Sequence, residues 1–311
     1  MRKSIASSTT RRLVVGGAAL ALLVTAGCGS DDQEASGGPI TVTDATGAQV
    51  TLSAPADRIA CLTMICVDAL KELGITPVAY REDLARDERF FGPDVDMRKI
   101  TGGFGEENVE DIALAEPDLV IGLGGVQDGL RAAVEESAPL YLVNPESWQD
   151  SVEFLRTVGQ LTGKQGEADA AAQSFEERVE AAGQNRTELT TLSMYGEPGS
   201  LGVDSVQTPV GSLLAEVSDY PWQAGTDAFA TVSVEQIAAV DPDVIFAQAI
   251  SSGDDSEPLS TRLATNPVWP SISAAQNGRV VEVEASVWAT GRGTVSLGIV
   301  LDEVTAELAK A

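Results

Sequence analysis

Apolar positions along the chain change period several times, and each change marks an element. Ile40 and Val42 alternate with threonines, and Val50 and Leu52 alternate with Gln49 and Thr51, on either side of Asp44-Ala45-Thr46-Gly47. Period-two runs flanking an Asp/Gly turn predict a β-hairpin over 40–52. Arg58–Leu62 is a short apolar run of the kind buried on both faces of a sheet. Residues 67–73 take helical spacing and stop at Gly74, a common helix-ending residue, and Thr76–Tyr80 is the next strand. The rhythm continues with strands at Leu119–Ile121 and Leu140–Val143, separated by a helix over 127–137. From Trp148 to Gln184 it breaks. Val152, Leu155, Val158 and Leu161 recur at helical spacing, and after Gly163 a second helix, rich in Ala and Glu, runs through Phe175 and Val179. Strand and helix then alternate again through Leu189–Met194, 211–217, Val244–Phe246 and Val280–Val283 to a last helix over 298–309. This alternation predicts an α/β protein with mainly parallel sheets covered by helices. Two halves, 40–147 and 185–311, are joined by a helical segment over 148–184.

The halves share a signature. Phe104-x4-Val109-Glu110-x-Ile112-Ala113-x3-Pro117-Asp118-x-Val120-Ile121 returns as Phe229-x4-Val234-Glu235-x-Ile237-Ala238-x3-Pro242-Asp243-x-Ile245-Phe246. Each copy reads as a short helix, a Pro-Asp turn and a buried strand. Pro-Asp alone is a weak turn signal. The same set of constraints in both halves implies two similar lobes with a cleft between them.

Residues 1–27 read as an export leader rather than part of the fold. Arg2, Lys3, Arg11 and Arg12 form a basic head, and the uncharged run Leu13–Gly27 falls short of the ~20 residues that span a bilayer. Thr25-Ala26-Gly27-Cys28 resembles the lipobox of bacterial lipoproteins, whose cysteine is diacylated and becomes the new N-terminus, although Val24 sits one place earlier than the usual aliphatic. Thr10-Arg11-Arg12-Leu13-Val14 resembles a twin-arginine signal, and paired arginines are also common in ordinary basic heads, so the export route stays open. Residues 28–39 are polar and Gly/Ser-rich, a tether of roughly 18 Å.

Without the leader, 16 basic residues face 47 acidic ones, a net charge of −31. Such a chain is repelled by nucleic acid and by anionic lipid, so membrane attachment is expected through the lipid alone. The chain has no histidine. That excludes His-based triads, His-ligated zinc and an axial His on haem. A Gly-x-Ser-x-Gly elbow is missing as well, and no catalytic residue is assigned. Cys61 and Cys66 can form a small disulfide loop outside the cell, and the same spacing suits two buried thiols.

Taken together, Ile40–Leu52, Arg58–Leu62, Leu73–Val78, the paired Glu110/Asp118 and Glu235/Asp243 segments, and Asn266–Trp269 with Gly278–Val281 resemble the iron-siderophore, haem and cobalamin group of periplasmic binding proteins. The resemblance covers essentially the whole chain after the tether. It implies two Rossmann-like lobes linked by a long helical backbone, and a ligand held in a shallow cleft between them. It further implies a monomeric substrate-binding lipoprotein of an ABC importer on the outer face of the cell membrane, with no cofactor and no resident metal. The expected cargo is a ferric siderophore, with haem or cobalamin as alternatives on the same fold. An envelope sensor or scaffold remains a separate reading, because fold does not settle function. Glu110 and Glu235 match the family's two glutamates that pair with permease arginines. An exposed glutamate near a helix N-terminus is also favoured by the dipole alone.

Ligand residues are expected in loops after strand C-termini, where open α/β sheets bind their ligands. Thr63, Met64, Arg81, Phe104, Tyr195, Trp222, Phe229, Trp288 and Arg292 occupy such places. Arginine suits the oxygens of a ferric chelate, and aromatic rings offer rigid faces. Core packing or ion pairing would equally explain most of them. Trp288 and Arg292 stand out, because Gly291 and Gly293 bracket the arginine in an open loop.

Overall fold

The structure, a computed structural model, describes residues 38–81, 87–223, 231–249 and 257–310. Cys28 and Phe229 lie outside the described residues. Gly37–Ala311 form one compact unit. The first period-two runs form a hairpin of β1 (Ile40–Thr43) and β2 (Gln49–Leu52), with Ile40 opposite Leu52 and Thr43 opposite Gln49. At its turn the buried Asp44 carboxylate accepts from the Thr46 and Ala48 amides and pairs with Arg131, while Ala45 N–H donates to the Leu142 carbonyl. These bonds pin the hairpin to the first sheet.

That sheet holds β3 (Ile59–Cys61), β4 (Ala79–Tyr80), β5 (Arg98–Lys99), β8 (Leu119–Leu123) and β9 (Leu140–Val143), ordered β5-β4-β3-β8-β9 and parallel throughout. Between β5 and β8 lies a small hairpin, β6 (Gly102–Gly103) with β7 (Glu106–Glu107). Side chains alternate between faces of the sheet. Ile59, Cys61, Leu119, Ile121, Tyr141 and Val143 join the main core, while Ala60, Leu62, Val120, Leu140 and Leu142 form a second cluster on the other face. This is why these strands read as unbroken apolar runs.

The second sheet holds β10 (Thr191–Glu197), β11 (Ser200–Val203), β12 (Thr231–Val232), β13 (Val244–Ala249) and β14 (Val280–Val283), ordered β12-β11-β10-β13-β14. β10, β13 and β14 are parallel, whereas β11 runs antiparallel to both neighbours. Pro198-Gly199 turns the chain straight back, so this sheet is mixed where the strand–helix rhythm alone predicts a parallel one.

Eleven helices complete the described fold. α1 (Met64–Glu72), α2 (Val109–Leu114) and α3 (Arg131–Val134) belong to the first lobe. α4 (Trp148–Thr162) and α5 (Gln165–Gly183) form an antiparallel pair bridged by Arg156 to Glu176 at 2.9 and 3.0 Å. α6 (Pro209–Val217), α7 (Val234–Val240), α8 (Leu259–Leu263), α9 (Ser273–Gln276), α10 (Ala285–Trp288) and α11 (Thr294–Leu308) follow. α11 packs on α1, α4, α5 and α6 together. Its Leu297, Val300 and Val304 share one core with Ile65 of α1, Leu155 and Val158 of α4, and Leu213 and Leu214 of α6. The link between the two sheets is thus a helical layer, not a single rod.

The internal signature has the same construction twice. Asn108 caps α2 by accepting from Glu110 N–H, and Ser233 caps α7 in a reciprocal box with Gln236. Glu116 and Asp241 then take left-handed backbone, φ 49° and 55°, just before the prolines. Asp118 accepts from the Asp57 and Arg58 amides at 2.9 and 3.0 Å, and Asp243 accepts from Thr190 N–H at 2.9 Å. In each lobe the Pro-Asp carboxylate fastens the start of one central strand to the start of its neighbour.

Asp68 of α1 joins regions far apart in sequence. It is fully buried and accepts from Val295 N–H and Ser296 N–H, both at 2.9 Å, and from Ser296 Oγ at 2.5 Å. It therefore caps α11, whose own cap residue, Gly293, brings no side chain. A Cβ on Gly293 would sit 2.3 Å from Asp68 Oδ1, so only glycine permits this approach. Burial pushes the Asp68 carboxyl up to about 7, against the hydrogen bonds that favour the anion. Asp68→Ala is expected to cost about 2–4 kcal/mol, read as a lower urea midpoint, because it uncaps α11 and strands buried amides. The native state holds the Asp68 proton more tightly than the unfolded chain does. Its contribution is full below about pH 4 and is lost as pH rises through about 7. The stability of the natural protein relative to Asp68→Asn should therefore shrink from pH 5 to pH 8; a constant or growing difference would show that Asp68 is an ordinary ionised carboxylate.

Candidate functional site

Thr63 and Arg81 follow the carboxyl ends of β3 and β4 in the first sheet, and Tyr195 lies in β10 of the second. In the first lobe, Cys61 and Cys66 are joined by a disulfide, with Cα atoms 5.5 Å apart, which closes the turn from β3 into α1. Inside that turn Thr63 is only 8% exposed and Met64 is buried, its sulfur accepting from Tyr80 Oη at 3.4 Å. Both belong more to the floor of the turn than to an open surface.

Arg81 follows β4 and meets Phe104 at the tip of the β6–β7 hairpin. The guanidinium lies 5.1 Å from the ring centroid, and the ring is 54% exposed. Arg81 Nε is 3.6 Å from Oε1 of Glu107, a buried carboxylate that also accepts from Gln127 Nε2 at 3.0 Å and Gly105 N–H at 3.2 Å. The structure thus unites two of the residues singled out in the sequence and adds Glu107.

In the second lobe a polar network lies beneath Tyr195. Ser193 Oγ donates to Asp204 at 2.7 Å, Gln248 Nε2 donates to Ser193 Oγ at 3.0 Å, and Tyr220 Oη donates to the Asp204 carbonyl at 2.6 Å. Asp204, Ser193 and Gln248 are buried. Burial raises the Asp204 carboxyl above its ordinary range, opposed by the Ser193 hydroxyl and then by the charge of Arg292. Burial also raises the Tyr195 phenol, and Arg292 again acts the other way. The Tyr195 ring lies flat on Gly202, where a Cβ would come within 2.4 Å of it. Arg292 takes φ 60° and is steadied by Nε donating to the Ala289 carbonyl at 2.9 Å. Two buried polar atoms beside this network, Trp222 Nε1 and Gln248 Oε1, have no hydrogen-bond partner among the described residues. An orphaned buried donor and acceptor are costly unless something else meets them.

Trp288 does not stand at the cleft surface. It is 1% exposed, stacks on Phe246 at 4.9 Å, and donates Nε1 to Glu303 at 2.7 Å. Four-residue α10 tucks the indole beneath β13, and its one polar atom is already satisfied, so it is a core residue that supports the Arg292 loop.

Glu110 and Glu235 both stand exposed in the first turns of α2 and α7. The Glu235 carboxyl is held below its ordinary range by its own backbone amide, by Ser233 and by Asn266. Repeated capping and repeated Pro-Asp clamps give the two carboxylates the same local placement in each lobe.

Glu107, Asp204, Ser193 and Gln248 carry no local motif, because their burial depends on strand pairing. The turn signal at Pro198-Gly199 was nevertheless enough to bring β11, and with it Asp204, back alongside β10.

The likeness to known proteins extends over this whole unit. Over 292 residues the chain is 23% identical to the Fe(3+)-citrate-binding protein YfmC of Bacillus subtilis, covering 89% of this chain and 90% of that one. The Fe(3+) dicitrate-binding periplasmic protein FecB of Escherichia coli is 25% identical over 262 residues, 81% of this chain and 85% of the relative. The crystal structure of the petrobactin-binding protein YclQ of Bacillus subtilis superposes with a TM-score of 0.74 at 16% identity, over 87% of this chain and 98% of that one. The periplasmic binding protein family model matches residues 59–287, and the chain belongs to that family.

Proposed function

We propose that this protein is the substrate-binding lipoprotein of an ABC importer, which captures a ferric siderophore in the cleft and delivers it to a permease. The reading is supported by two groups of aromatic and cationic side chains near strand carboxyl ends, one in each half of the chain. One is Arg81 with Phe104; the other is Arg292 and Tyr195 beside the buried Asp204 network. Aromatic rings, cations and fixed polar atoms suit a bulky chelate whose metal is already coordinated. Relatives named as ferric-citrate binders support the cargo class. In this reading residues 1–27 are the leader, Cys28 carries the lipid, 28–39 form the tether, and the 40–147 and 185–311 lobes flank the 148–184 helices.

Titration of the chain from Gly29 onward, which keeps the whole compact unit, should quench its four tryptophans saturably at sub-micromolar concentrations of one ferric chelate class. Exclusive binding of haem or cobalamin would keep the importer and change the cargo. No binding across such a panel would favour a sensor or scaffold.

Glu110 and Glu235 would set register and orientation on two basic sites of the permease. Reversing both charges to lysine should abolish uptake in cells while leaving chelate affinity unchanged. Uptake that survives the double reversal would remove them from the docking surface.

A further inference from the structure

The Cys61–Cys66 bond is sealed inside the fold it belongs to, with both residues 0% exposed. Cys61 lies in β3, between β4 and β8, with Tyr80 and Ile121 as its partners in the sheet. It shares the main core with Cys66 of α1. That helix is not free to lift away by itself, because Asp68, on the same turn as Cys66, holds the Val295 and Ser296 amides of α11. Thiol–disulfide exchange needs a sulfur that the attacking thiolate can approach. In the folded chain such an approach requires parting β3, α1 and α11, which comes close to opening the whole unit. In the unfolded chain no such barrier exists. The cysteines are separated by 5 positions, a loop that closes without any tertiary structure.

We infer that this bond is made on the exported, still unfolded chain by a disulfide-class thiol oxidant. Residues 1–27 accordingly use the general secretory route, which carries unfolded chains, and not the twin-arginine route, which carries folded ones. One cysteine thiolate attacks the oxidant's disulfide and forms a mixed disulfide; the second thiolate then displaces the oxidant. Two electrons and two protons pass from the cysteine pair to the oxidant, which is left as a dithiol. The cytosol keeps thiols reduced. A chain that folded there would bury Cys61 and Cys66 as thiols, beyond the reach of an oxidant met later. Once Cys28 carries lipid, these two are the chain's remaining thiols, so a single pairing exists and no isomerisation is needed. The inference rests on the reading of 1–27 as an export leader, in which Arg11 and Arg12 serve only as part of the basic head.

The first test uses the chain from Gly29 onward, followed by thiol counting. Dithiothreitol should open the bond at least ~100-fold more slowly in the native protein than in guanidinium. A reduced chain refolded without oxidant should form the bond with oxidised glutathione at least ~100-fold more slowly than the same chain kept unfolded. A reduced chain that does not refold at all would agree with the inference, since the bond then has to come first. Comparable rates in the folded and unfolded chain would overturn it. The second test follows the full chain in cells. Export with the bond closed is expected to persist when the twin-arginine translocon is disabled and to stop when the general translocon is blocked. Loss of export in twin-arginine-deficient cells alone would overturn the route. Retention of the chain in the cytosol of unaltered cells would overturn the leader reading and the route with it.

Discussion

A carboxylate on the first helix caps the last one, and the two-lobed body is organised around that contact. Asp68 meets the amides of Val295 and Ser296 across more than two hundred residues of chain. Through it α1, which belongs to the first sheet, is fastened to α11, which packs on α4, α5 and α6. The helical layer and the inner faces of both sheets then share a continuous core. Interiors packed in this way yield little to hinge motion, because opening the lobes would expose apolar surface over the whole layer. The same contact fixes where the Arg292 loop ends. Gly293 lies against Asp68, and its neighbour Arg292 is held in left-handed backbone beside it, so the loop carrying the cleft arginine ends at the cap of α11.

Much of this was legible from residue patterns. Alternation and helical spacing located the hairpin at 40–52, the central strands and the helical pair around Gly163, because those elements are set by local period and turn chemistry. The repeated segment was legible too, and its purpose emerged with the coordinates: Asp118 and Asp243 are backbone clamps, which explains why both halves keep Pro-Asp. What stayed hidden depends on tertiary pairing. Trp288 follows a strand and looks like a cleft aromatic, yet the turn of α10 sends it under Phe246. Glu107 and Glu106 are indistinguishable in sequence, and only the hairpin register buries one and exposes the other. Asp68 has no signal at all, since its partners lie at the far end of the chain.

The two halves of the candidate site are built differently. The first-lobe wall is a stacked ring and cation on a small hairpin. The second is a rigid floor of interlocked hydroxyl, amide and carboxylate groups beneath Tyr195. A buried, interlocked floor imposes geometry, whereas an exposed ring on a short hairpin has room to adapt to shape.

The hairpin that carries Phe104 runs directly into α2. Asn108 N–H bonds the Thr101 carbonyl, and Asp111 accepts from the Thr101 amide and hydroxyl, so the base of the hairpin is tied to the first turn of α2. The exposed ring and the exposed Glu110 carboxylate stand six residues apart on that segment. The spacing between ring and carboxylate is thus set by backbone and side-chain hydrogen bonds within one short segment, not by packing in the core.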